Sequence, residues 1–252
     1  MGVAFYGDTD PGLADEVDEL HWQHLGELDA LIQTLHRGGV RQAVMAGKVM
    51  KTHLFGDLAS LRPDARAVEL IAGLAQRNDD SILVALADML GAEGITLLSQ
   101  VALVPELLAG EGTLGGLVAT AQQRAEIAFG WPVAKALGAV DVGQTVVVRE
   151  RAVLAVEAIE GTDAAIERGA ALGGPGTCVI KVAKPRQDPR FDVPAVGLQT
   201  LAVMVAGKCA ALAVEAGRTL LLDREALIGE ADRHGIALVG VSSTGEAGPE
   251  RR

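Results

Sequence analysis

The stretch LGELDALIQTLHRGGVRQAVMAGKV, residues 25–49, decides the fold class. Leu25, Leu28, Ile32 and Leu35 recur at helical spacing, and Gly38-Gly39 supplies a C-terminal stop. The run QAVMAG (42–47) is short, apolar and bounded by turn signals, which predicts a buried parallel strand. Helix, glycine, strand is the grammar of an α/β protein. Working outward, VAFY (from Val3) predicts a strand before this unit. Asp64 is a candidate N-cap for ARAVELIAGLAQR, Asp79 or Asp80 for SILVALADMLGAEG, and ITLLS (95–99) is a further strand.

From Gly110 to Gly116 four glycines fall within seven residues, so 110–118 reads as a linker. The expected layout is an N-terminal Rossmann-like domain over 1–109, a C-terminal mixed α/β domain over 119–242, and a disordered tail over 243–252. In the second domain AQQRAEIAFGWPVAKALG predicts a helix kinked or split at Gly130 and Pro132. QTVVVRERAVLAVEA predicts a hairpin turning at Arg149-Glu150-Arg151. TDAAIERGAAL, CVIKVA, 198–209, ALAVEA, TLLLD, REALIGEADRHG and IALVGV then read as helix, strand, helix, two strands, helix and strand.

Composition narrows the function. With 252 residues and 49% apolar content the chain can bury most of its surface without disulfides. Cys178 and Cys209 both sit in apolar runs, which suits buried, reduced thiols of a cytoplasmic protein. Mean hydropathy is +0.28, but no run approaches the roughly 20 apolar residues of a membrane span, and no signal peptide is expected. Lys and Arg number 22 against 33 Asp and Glu, a net charge of −11, which argues against a nucleic-acid partner.

Against that acidic background KVAKPRQDPRFDVP (181–194) stands out. Lys181, Lys184, Arg186 and Arg190 place four cations in ten residues, with Asp188 and Asp192 among them. Pro185, Pro189 and Pro194 forbid a helix and make a loop directly after an apolar strand, where α/β proteins bind ligands. Lys and Arg can hold phosphate oxygens, while a carboxylate binds a divalent metal or activates water. A solvated charged loop would have the same composition. In EAIEGTDAA (157–165), Glu157 and Glu160 end a strand, and Thr162 and Asp163 open a helix that could be simply capped or could bind an anion. Gly47-Lys48, after the first buried strand, resembles a ligand-contacting turn. Dinucleotide, P-loop and GxSxG fingerprints are absent, which disfavours a Rossmann-type oxidoreductase or a serine hydrolase. The five histidines show no metal-ligand spacing.

Taken in order, AVMAGKV, LGAVDVGQTVVV, EGTDAAIERG, KVAKPRQDPRFDVPAVGLQT and LAVEAGRTLLLDRE resemble the magnesium-dependent UDP-2,3-diacylglucosamine pyrophosphatases, the family distinct from the metallophosphoesterase type. The resemblance implies hydrolysis of the UDP-linked diacylglucosamine at its α-phosphorus to UMP and 2,3-diacylglucosamine 1-phosphate, in lipid A biosynthesis. It also implies a Mg²⁺ cofactor and a cytoplasmic homodimer with peripheral contact at the membrane surface. The domains would be mobile, holding lipid in an apolar groove between them. Asp192 matches the aspartate that the family needs for activity. By inference around it, Asp192, Asp188 and Lys184 are the catalytic candidates, and Lys181, Gln187, Arg190, Thr162, Gly47 and Lys48 are the substrate-binding ones. Asp192, Asp163 and Glu160 are the candidate metal ligands. Similar proteins begin one strand and one helix earlier, so the N-terminal sheet is expected to lack its first unit. A non-catalytic binder of the same lipid is the alternative.

Overall fold

The computed structural model describes residues 1–47, 61–74, 79–185, 187–190 and 192–245, and it divides into two compact units, Met1–Gln100 and Val101 onward. Lys48 and most of the expected tail lie outside the described residues. In the first unit, strands β1 (Gly2–Phe5) and β2 (Leu20–Gln23) pair in parallel, as do β3 (Gln42–Ala43) and β4 (Thr96–Leu97). Parallel strands are present as expected, but among the described residues they form two separate pairs, and the buried strand expected over 42–47 is only β3, exposed at Gln42 and half-buried at Ala43. Helix α1 (Leu28–Arg37) buries Leu28, Ile32 and Leu35 of the periodic face read from the sequence and Leu31 besides, while Leu25 precedes the helix and is only half-buried. Asp64 caps helix α2 (Ala65–Ala72) by accepting from the Ala67 N–H at 2.9 Å, and its other oxygen accepts from the Asp29 N–H in the first turn of α1 at 2.6 Å. One carboxylate thereby satisfies the N-termini of two helices. Helix α3 spans Asp79–Ala92.

The second unit is built on a six-stranded mixed sheet of order β5-β12-β10-β8-β6-β7. Its strands are β5 (Gly112–Thr113), β6 (Thr145–Arg149), β7 (Ala152–Val156), β8 (Cys178–Lys181), β10 (Ala211–Glu215) and β12 (Ala237–Val241). The central trio β8, β10 and β12 is parallel and entirely buried. Such strands read as continuous apolar runs because helices cover both faces. On one face Val147, Val179, Leu212, Val214 and Leu238 pack under α5 (Thr162–Gly173), α6 (Leu198–Ala206) and α7 (Arg224–Arg233). On the other, Val146, Val148, Ile180, Ala213 and Val239 pack against Ile127, Trp131 and Ala134 of α4 (Ala121–Ala139). The short strands β9 (Ala195–Val196) and β11 (Leu220–Leu221) form a separate parallel pair.

Two expectations are corrected. Helix α4 is not split; it runs through Gly130 and Pro132 without a break. Gly130 serves contact, since a Cβ there would lie 2.8 Å from Ile180 and Val148. Second, the glycine-rich segment 110–118 holds strand β5, paired antiparallel with β12, so Gly112 and Thr113 belong to the sheet. By contact the chain divides at Gln100/Val101, and Ala109 is buried in the second unit's core, where it exchanges backbone hydrogen bonds with Thr219 and Gly217.

The hairpin turns where expected, with Glu150 and Arg151 both left-handed (φ 52° and 56°), as a two-residue hairpin loop requires. Non-glycine residues pay for that conformation, and the buried Glu126 offsets the cost. Its two oxygens accept from the Glu150 and Arg151 N–H groups at 2.7 and 2.8 Å.

Both cysteines are buried, and burial pushes the Cys178 thiol up to about 12. At pH 8 such a thiol is ionised to about one part in ten thousand, and the thiolate is the reactive form. Native protein should therefore leave Cys178 unlabelled by iodoacetamide over hours, while the unfolded chain labels in minutes. Rapid native labelling at Cys178 would contradict the packing.

Candidate active site

The second unit gathers its polar side chains at the carboxyl end of β8. Lys181 and Lys184 are each only 7% exposed, although lysine is seldom buried. Lys181 donates to Thr162 Oγ1 at 3.1 Å and to the Ala195 carbonyl at 2.9 Å. Thr162 in turn donates to Glu157 Oε1 at 2.9 Å, and Glu157 Oε2 accepts from the Gln144 N–H at 3.3 Å. Gln187 Nε2 reaches Gln144 Oε1 at 3.5 Å, and Gln187 Oε1 accepts from the Lys184 N–H at 2.8 Å. The EGTD stretch and the cationic loop are thus one hydrogen-bonded network. Lys184 Nζ then lies between two carboxylates, Asp141 Oδ1 at 2.6 Å and Asp192 Oδ2 at 3.4 Å.

A buried ionic clamp fixes the start of this loop. Glu215, at the end of β10, is fully buried. Its Oε2 accepts from the Ala183 N–H at 2.8 Å and from Lys135 Nζ at 2.9 Å, and Lys135 also donates to the Ala183 carbonyl at 2.9 Å. Arg218 stands 3.5 Å from Glu215 Oε1 and donates to the Lys184 carbonyl at 3.3 Å. The backbone of residues 183–184 is therefore held on both its donor and acceptor sides.

Other candidates have different partners. Asp188 and Arg190 pair with each other, Arg190 Nη2 meeting Asp188 Oδ2 at 2.7 Å and Nε meeting both oxygens at 3.0 and 3.1 Å. The Arg190 guanidinium holds the Asp188 carboxyl below the usual carboxylate range. A depressed pKa adds stability above the ordinary range, near pH 4, that is lost as pH falls through the lowered value. Asp188→Asn should therefore flatten the loss of melting temperature between pH 5 and 2.5, by no more than about 1 kcal/mol for so accessible a pair. Identical acid profiles of both proteins would show that the pair contributes nothing.

Glu160 accepts from Arg168 at 2.5 Å and from the Ala158 N–H at 3.2 Å, and Asp163 accepts from Thr200 Oγ1 at 2.8 Å. Backbone hydrogen bonding first, then Arg168, holds the Glu160 carboxyl low. Among the described residues no three His, Cys, Asp or Glu side chains converge on a point that could hold a metal ion. The expected ligand set of Asp192, Asp163 and Glu160 does not fit a three-carboxylate metal site, because Glu160 and Asp163 are turned to partners of their own. Gly47, in the first unit, has φ +94° and open space where a Cβ would be.

A family model for the LpxI N-terminal domain matches residues 1–107, and one for the LpxI C-terminal domain matches residues 110–239. The chain belongs to the LpxI family. It is 33% identical over 228 residues to the UDP-2,3-diacylglucosamine pyrophosphatase LpxI of Caulobacter vibrioides, an alignment covering 86% of this chain and 80% of that protein. The polar network described above lies almost entirely within the segment matching the LpxI C-terminal domain. Sequence reasoning passed over Asp141, Gln144 and Glu215. Glu215 leaves one signal, a lone carboxylate closing the apolar run ALAV at a sheet edge where loops bind ligands.

Proposed function

We propose that this chain hydrolyses UDP-2,3-diacylglucosamine at its α-phosphorus, releasing UMP and 2,3-diacylglucosamine 1-phosphate for lipid A biosynthesis. The observation that carries the reading is the nearly buried Lys184 beside Asp192, with the equally buried Lys181 at the end of the preceding strand, in a chain similar over most of its length to a protein of that named activity. A diphosphate needs fixed cations, and Lys181 and Lys184 are already desolvated and held in place, so binding does not have to order them. Gln187 adds an amide donor. In the reaction a water oxygen bonds to the α-phosphorus, the bond to the bridging oxygen breaks, and the lipid phosphate leaves. Asp192 orients that water and takes up its proton.

Magnesium dependence belongs to this proposal through the family resemblance. Mg²⁺ commonly binds through one or two carboxylates plus substrate phosphates, so it does not require the three-carboxylate set. The same reading makes the protein a cytoplasmic homodimer that meets its lipid at the membrane surface. No helix among the described residues is long and apolar enough to cross a membrane. The test is UMP formation from purified substrate in Mg²⁺ and again in excess chelator. Turnover lost on chelation and regained with Mg²⁺ supports the proposal. Stoichiometric lipid binding with no UMP in either condition would make the protein a binder.

A further inference from the structure

We propose that Asp141 is a positioning residue for the hydrolysis, acting through Lys184 to keep Asp192 available. The proposal rests on the reading that Asp192 takes part in turnover. Asp141 lies in the turn after α4 and adopts a left-handed backbone at φ 57°, which only a minority of non-glycine residues do. The end of α4 that leads into this turn is built against the loop, since a Cβ on Gly138 would lie 3.4 Å from the Lys184 Cα. The left-handed residue delivers its carboxylate to Lys184 Nζ at 2.6 Å, while Asp192 stands farther away at 3.4 Å. The nearly buried ammonium is drawn towards Asp141 and held short of full contact with Asp192. The Asp192 oxygens are thereby left less committed to a structural ion pair and open to water. Without Asp141, Lys184 would close onto Asp192 and occupy the group that the reaction needs.

Asparagine tolerates the left-handed region as aspartate does, so Asp141→Asn removes the charge without disturbing the turn. The experiment measures kcat, product affinity and melting temperature for Asp141→Asn, Asp192→Ala and the double variant. Asp141→Asn is expected to lower kcat by roughly 10- to 100-fold, as coupled neighbours do, with melting temperature and affinity for 2,3-diacylglucosamine 1-phosphate unchanged. In the Asp192→Ala background, measured at a temperature where the double variant is fully folded, it should lower the residual rate no further, although Lys184 there loses both carboxylates and the melting temperature falls. An inactive Asp192→Ala beside a fully active Asp141→Asn overturns this proposal and leaves the site reading standing. An active Asp192→Ala overturns both. An equal loss from Asp141→Asn in both backgrounds shows that the residue acts independently of Asp192, and overturns the proposal.

Discussion

Asp192→Ala should lower kcat by roughly 10²- to 10⁴-fold while the protein stays folded, the range found when a group acting mainly in the transition state is removed. Asp192 is only partly buried, and its ion pair with Lys184 is long at 3.4 Å, so its contribution to stability is small. Lys184 keeps a nearer partner in Asp141, so no buried cation is left without a counter-ion. Lys181 and Gln187 keep their hydrogen bonds to Thr162, Ala195 and the Lys184 backbone. Substrate and product affinity should therefore change much less than turnover, and the variant is a candidate for trapping bound lipid. Titration of product into the folded variant checks this. Near-normal UMP release would overturn the assignment of Asp192 to the reaction.

Glu215→Ala should be the most damaging single change to stability in this region. The carboxylate is fully buried and satisfies the Ala183 N–H and Lys135, with Arg218 close by. Its removal leaves a buried N–H unpaired and two cations without their counter-charge. Lys135 and Arg218 have some access to water, which puts the loss at the lower end for broken buried pairs, about 3 kcal/mol. For a chain of this size that is a fall of roughly 6 to 12 °C in melting temperature. Glu215→Gln, which keeps an acceptor for Ala183, should lose about half as much. Because the clamp fixes the peptide before Lys184, kcat should also fall by roughly tenfold at temperatures where the variant is fully folded. An unchanged melting temperature in Glu215→Ala would show that residues 183–184 are held by something else.

The α/β class was legible from the helix-glycine-strand unit at 25–49, and the hairpin from two β-rich runs around Arg149-Glu150-Arg151. Strands β2, β5 and β9 were not. LHWQ has no clean alternation, and a two-residue strand has no period to read. The glycines of 110–118 suggested a flexible linker, but Gly115 and Gly116 mark close approach and Gly112 a left-handed backbone at φ 87°. A Cβ on Gly115 would sit 2.7 Å from the Asp232 carboxylate, whose oxygens accept from the Gly116 N–H. Sequence shows that a residue is small, not which neighbour requires it.

The cationic loop was legible because four positive charges in ten residues are unusual in a chain of net charge −11. Charge counting could not say which carboxylates meet. Inference around the family resemblance grouped Glu160, Asp163 and Asp192, whereas the fold gives Glu160 to Arg168 and Asp163 to Thr200, and brings Asp141 to Lys184. Asp141 sits between two valines, far along the chain from the loop it serves.

The most direct test of the account is hydrolysis of UDP-2,3-diacylglucosamine by the purified chain in ¹⁸O-labelled water with Mg²⁺, followed by phosphorus-31 detection of the products. The account predicts UMP carrying the label, an unlabelled lipid phosphate, and loss of both products in Asp192→Ala. Label in the lipid phosphate, or no UMP from a folded protein that binds the lipid, would contradict it.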